Sequence, residues 1–126
     1  MKFSIELLPE SYAICRLDPT AAIPTWTRGG LVSITRTPDE LSIVCQQTDI
    51  PDGVQAEREW CCFRIAGKLD FSLVGVIATL TQVLAATGIS VFVMSTYDTD
   101  YFLVRQLDLL RAVETLEEAG HSVQSP

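Results

Sequence analysis

The sequence holds one histidine, His121, and its 9 lysines and arginines are outnumbered by 16 aspartates and glutamates. A formal net charge of -7 with no basic stripe repels phosphate backbones, so nucleic acid is not an expected partner. One histidine also leaves too few spaced ligands for zinc, and no metal or cofactor is expected. Long apolar runs are missing: the longest, around residues 73–94, is broken by Gly, Thr and Gln and suits no bilayer crossing. The N-terminal MKFSIELLPES has too short an apolar stretch for a signal peptide, and Glu6 interrupts it. A cytoplasmic protein with no membrane partner is the expectation.

What is present is a globular composition, 48% hydrophobic and 20% charged, in 126 residues. That length suits one compact domain, or two very small ones sharing a core. The four cysteines (Cys15, Cys45, Cys61, Cys62) all sit in apolar segments, where a reduced thiol acts as a small hydrophobe. Cys61 and Cys62 are adjacent, so a strand sends them to opposite faces. Buried strand cysteines are preferred to redox chemistry.

Alternation predicts strands at YAICRL (12–17), LVSITRT (31–37), LSIVCQQ (41–47), WCCFRIAG (60–67), ISVFVMS (89–95) and YFLVRQ (101–106). Between the first two, Pro24 and Gly29-Gly30 leave room for one helical turn at most. Leu73, Val76, Ile77, Leu80, Val83 and Leu84 recur at helical spacing, with Ser72 as a cap and Gly88 as a stop. A second helix runs from about Leu107, with Leu110, Val113 and Leu116 on one face and Gly120 after it. Val123 marks a short closing strand. From Trp60 the order is βαββαβ, which builds an antiparallel sheet with both helices on one face. The first half echoes the second: VSITRTPDELSIV (32–44) set under FVMSTYDTDYFLV (92–104) puts Thr35 opposite Ser95 and Glu40 opposite Asp100. The expectation is therefore an α+β protein of two fused ferredoxin-like units, residues 1–59 abbreviated and residues 60–126 complete.

Two polar segments stand out. In KLDFSLVG, a helix N-terminus offers unpaired N–H groups to a carboxylate, Gly75 permits close approach, and Asp70 can accept from an ammonium. The parts suit an α-amino acid. Asp70 and Ser72 are equally ordinary helix caps, and Gly75 equally serves close packing. In the tip of residues 95–100, Asp98 and Asp100 can face a ligand, but turn formation is the preferred reading. Ser72, Ser95 or Thr96 would need a base to act as nucleophile, and His121 lies near the C-terminus. No catalytic residue is assigned. Trp26 and Trp60 read as core or interface anchors, and Arg36 as a solvated strand charge.

The segments YAICRL, SITRTPDELSIVC, CFRIAGKLDFSLVGVIATL and STYDTDYFLV together resemble a family of small bacterial tandem ACT-domain proteins. The pattern is also similar to the ACT repeats of the CASTOR arginine sensors and, more distantly, of aspartate kinase regulatory domains. It runs from about Tyr12 to His121, with TRTPDELSIVC and STYDTDYFLV its most specific parts. The resemblance implies an ACT-like, amino-acid-binding regulatory fold that performs no chemistry itself. It also implies a ligand lodged between two such units. On this sequence the implied contacts are Asp70, Phe71, Ser72, Leu73, Val74 and Gly75 in the loop. Ser95, Thr96, Asp98, Thr99 and Asp100 belong to the facing strand end. Aspartate-kinase-type repeats usually carry Pro-Gly in the loop, where this chain has Leu73-Val74-Gly75. The alternatives are an ACT-type dimerisation module without a ligand and, less favoured, a small enzyme of amino-acid metabolism. A homodimer is expected because a sheet with helices on one face leaves its other face to be covered.

Overall fold

A computed structural model describes residues 2–67 and 75–126. The elements in chain order are β1 (Ser4–Leu17), β2 (Ser33–Arg36), β3 (Leu41–Gln46), β4 (Gln55–Ile65), α1 (Val76–Ala86), β5 (Phe92–Ser95), β6 (Asp100–Arg105), α2 (Leu109–Glu118) and β7 (Ser122–Gln124). Short 3-10 turns, Gln47–Asp49 and Gln106–Asp108, follow β3 and β6. The first strand is much longer than YAICRL: it begins at Ser4, and Ile5 within it is buried completely. Two compact units result: a helical unit, Met1–Pro9 with Cys61–Pro126, and a helix-poor unit, Glu10–Trp60.

In the helical unit the strands lie in the order β7-β1-β4-β6-β5. In the ferredoxin-like plan the last strand lies beside the first, here β4. The N-terminal part of β1 holds that place, tied by the Ala66 amide to the Ser4 carbonyl at 2.9 Å. β7 pairs outside it, parallel, Ser4 opposite Ser122. Phe63 of β4 and Phe102 of β6 stack with centroids 5.0 Å apart, and Leu80, Leu84 and Leu116 belong to the same buried cluster. The α1 stripe buries Val76, Leu80 and Leu84, with Ile77 and Val83 half-buried beside them.

Two expectations change. On α2 the buried residues are Ala112 and Leu116, flanked by Leu109 and Val113, at i, i+3, i+4, i+7. Leu110, expected on that face, is 81% exposed. Cys62 and Leu103, which alternate with the helix-facing residues of β4 and β6, are themselves fully buried. The second face is therefore covered in part, while Glu6 and Arg64 on it remain partly exposed.

The helix-poor unit orders β2-β3-β1, then β4. β1 pairs antiparallel with β3 from Tyr12 opposite Gln46 to Leu17 opposite Leu41, and β2 pairs with β3. No α-helix forms here. Trp26, Ala21 and Val32 pack instead over Ala13, Cys15, Leu41, Ile43 and Cys45. Arg36 donates to the carbonyls of Pro19 and Ala21, clamping the 18–32 loop that carries those residues. It is an exposed strand charge, as expected, and also a structural clamp. Pro51 follows the 3-10 turn Gln47–Asp49 within two residues, where a second helix would otherwise continue.

The units do repeat one another, but one residue away from the sequence alignment. β2 begins at Ser33 and β5 at Phe92, β3 at Leu41 and β6 at Asp100, and the 3-10 turns at Gln47 and Gln106, each 59 positions apart. Arg36, paired with Leu41, thus corresponds to Ser95, paired with Asp100. A slip of one reverses every side chain of a strand, so hydrogen-bonding register, not apolar content, decides the match.

His121 ties the last strand of the helical unit to the first. Its Nδ1 accepts the Phe3 amide at 3.1 Å, and its ring stacks on Phe3 at 5.6 Å. Protonating Nδ1 removes that acceptor. Burial, then the charge of Lys2, hold the imidazole below its usual range. The unfolded chain then binds the proton better. Stability is complete above the unfolded value of about 6.5 and falls as pH drops through the lower folded one. The urea midpoint should fall more between pH 7.5 and 5.5 for the wild type than for His121→Gln. Equal falls would show that other groups carry the acid sensitivity.

Candidate functional site

The hairpin tip between β5 and β6 is built by threonine. The Thr96 amide donates to the Thr99 carbonyl at 2.9 Å, and Thr96 Oγ1 accepts the Thr99 amide at 3.3 Å. The same device closes the β2–β3 tip, where the Thr37 amide donates to Glu40 and its hydroxyl accepts the amides of Asp39 and Glu40. Such local bonds are why hydroxyl and carboxylate residues gather at turns. Ser95 Oγ donates to Asp100 Oδ1 at 2.6 Å, closing the last pair of the ladder. Of the polar tip residues expected to face a ligand, Ser95, Thr96, Thr99 and Asp100 therefore each hold the turn. Asp98 is exposed.

Thr99 does more. It is 3% exposed, and its hydroxyl donates to the Ile65 carbonyl at 2.8 Å. A buried bond between a tip and a strand end 34 residues away fixes the 95–100 tip beside the C-terminus of β4. From there residues 66–75 lead into α1.

Asp70, Phe71, Ser72, Leu73 and Val74 lie outside the described residues. Gly75 is described. It is the N-cap of α1, in the left-handed region at φ 78, and no side-chain bond caps the helix there among the described residues. The first backbone bond of the helix runs from the Thr79 amide to the Gly75 carbonyl at 2.8 Å. Val76, Ile77 and Ala78 precede Thr79 in that first turn, and residues 72–74, one turn back from them, lie outside the described residues. Among the described residues, a Cβ at position 75 would meet nothing within 4 Å. Gly75 therefore serves backbone conformation, not the close packing that the sequence allowed.

Sequence reasoning missed a polar row on the sheet face away from the helices. Arg64 pairs with Glu6 at 2.6 Å. Hydrogen bonding to Tyr101, then to Glu6, raises its pKa further. Glu6 and Arg64 lie 58 positions apart, so no local spacing signalled the pair. The cysteines are all buried and free. Burial, then the neighbouring Cys61, push the Cys62 thiol up to about 12, which keeps it protonated at neutral pH. Among the described residues no group of His, Cys, Asp and Glu could hold a metal ion. No described helix is long and apolar enough to cross a membrane.

The conformation of Gly75 reverses the expected outcome of its replacement. Ala favours helices, but at a positive φ it is strained by about 1–2 kcal/mol. Gly75→Ala should lower the urea unfolding free energy by that order, and Gly75→Asn, whose side chain tolerates the left-handed region, should lower it less. Chemical denaturation of the three proteins at one pH checks the ranking.

A family model described as ACT domain matches residues 55–118, and a second, for an N-terminal domain, matches residues 10–53. Among solved structures, an Agobacterium tumefaciens protein from a structural genomics programme is 42% identical. It covers all of this chain and 95% of its own, with a TM-score of 0.95. The ligand-free regulatory subunit of aspartate kinase from Thermus thermophilus is 11% identical. That match covers 95% of this chain and 99% of the subunit, with a TM-score of 0.66. A structure of aspartokinase alpha and beta subunits is 16% identical over 94% of this chain and 98% of its own, with a TM-score of 0.67. At such identities the two kinases share the fold. The α+β sheet with paired helices, the family match over 55–118 and the full-length relative together place this chain in the ACT domain family.

Proposed function

We propose that this chain is an ACT-type regulatory protein that binds an amino acid or related small metabolite beside the loop into α1. Membership of the ACT family supports the regulatory role, since ACT domains commonly bind amino acids and oligomerise. The observation that carries the reading is the Thr99–Ile65 bond, which holds the 95–100 tip next to the strand end that leads toward α1. On this reading the ligand carboxylate meets the N-terminal end of α1, where helix amides point outward. The exposed Asp98 accepts from its ammonium, and Asp70 to Val74 are the further contacts that the family resemblance implies. Occupancy then shifts a homodimer between two arrangements by the difference in affinity of each for the ligand. No residue is given a chemical step. The free, buried cysteines suit a reducing cytoplasm.

A second reading rests on a specific observation. Ser95, Thr96, Thr99 and Asp100 are engaged in the turn itself, as they would be in an ACT-type assembly module with no ligand.

A thermal-shift screen against the twenty amino acids separates the two. A ligand at one hundred times its Kd adds about 2.7 kcal/mol to a one-site protein. A hit should be weakened in calorimetric titration by Asp98→Asn, and also by Thr99→Val, which loosens the tip without touching the ligand. A dimer in light scattering with no hit in the screen would favour the assembly module.

A further inference from the structure

The outward face of α2 serves neither the core nor the ligand reading. Leu107, in the 3-10 turn that leads into α2, is 84% exposed, and Leu110, in the first turn of α2, is 81% exposed. Glu114, Glu117 and Glu118, all exposed, continue it. Helical spacing aligns Leu110 with Glu114 and Glu117, and Leu107 precedes that face in the 3-10 turn. The stripe is about 16 Å long, apolar at one end and acidic at the other.

Neither end helps the fold. Leu109, Ala112, Val113 and Leu116 make the core contact, so the two outer leucines bury nothing. Glutamates in a last turn oppose the helix dipole, which favours cations there. That turn holds no basic residue. The ion pair of α2, Arg111 with Asp108 at 3.1 Å, lies at the opposite end. Among the described residues no ion pair engages Glu114, Glu117 or Glu118. Among the described residues, this face therefore carries apolar and acidic groups that make no core contact and no ion pair.

We propose that this face docks a basic amphipathic helix of a partner protein. Its apolar turn rests on Leu107 and Leu110, and its lysines or arginines meet Glu114, Glu117 and Glu118. The net charge of -7 steers a cationic partner toward the chain. A second copy of this chain fits poorly: with the dyad across the helix, full antiparallel overlap sets each pair of leucines against Glu117 and Glu118 of the other copy, and with the dyad along it the glutamates of the two copies face one another. The inference does not depend on the amino-acid reading, because no residue of the proposed ligand site lies on α2.

The test uses the full chain and two fluorescein-labelled helical peptides. One carries two leucines a turn apart and three lysines further along the same face; the other has glutamates in place of the lysines. By anisotropy the lysine peptide should bind at least about tenfold tighter than the glutamate peptide, and added salt should weaken it. Leu107→Ser with Leu110→Ser should weaken binding about tenfold, as should Glu114→Gln with Glu117→Gln and Glu118→Gln. Neither set should lower the melting temperature, and the glutamine set should raise it slightly. Backbone amide shifts on titration should map to α2. Equal binding of the two peptides, no binding, or shifts that map elsewhere would overturn the proposal. A dimer that the serine variant converts to monomer would overturn it in favour of self-association.

Discussion

The stack of Phe63 on Phe102 is the support on which the helical unit depends. Both rings are fully buried on adjacent strands, and Leu80 and Leu84 of α1 and Leu116 of α2 share their cluster. Two helices of 11 and 10 residues would not persist alone in water. They form because each has one apolar stripe and an aromatic floor on which to bury it. Ile5, from the far end of the chain, joins the same cluster and makes the N-terminal residues part of this unit.

The helix-poor unit solves the same problem with a loop. A loop contributes little regular hydrogen bonding, so its backbone must be satisfied from outside. Arg36 does this with two carbonyl contacts, and Asp18 holds the Thr20 amide and hydroxyl at 2.9 and 2.6 Å. Trp26 then has a fixed backbone from which to cover Ala13 and Cys15. The internal repeat survives this loss because the hairpin and the 3-10 turn after it are self-sufficient. Thr37 and Thr96 close their tips by the same bonds whether or not helices stand nearby.

At the candidate site, legibility divides along physical lines. The sequence picked out the tip as polar, but not what the polarity is for. Hydroxyls at a turn look alike whether they face a ligand or their own backbone, and only the Thr99–Ile65 bond separates an anchor from its neighbours. Gly75 was legible as a special position, while its reason, a left-handed backbone, was not. The loop residues Asp70 to Val74 remain readable from sequence alone.

By itself the sequence determined the α+β class, the βαββαβ order after Trp60, the lack of an α-helix between residues 18 and 32 and the burial of the cysteines. Each follows from local periodicity, or from Pro and Gly placed where no helix can form. Tertiary structure decided whatever depends on partners distant in the chain. It put β1 beside β4 and β7 outside β1, paired Arg64 with Glu6, and turned α2 so that Leu109 faces inward and Leu110 outward. It also set the repeat at 59 positions. Helical periodicity allows neighbouring stripes that differ by one residue, and strand alternation allows registers that differ by one. Only the surface packed against the element chooses between them.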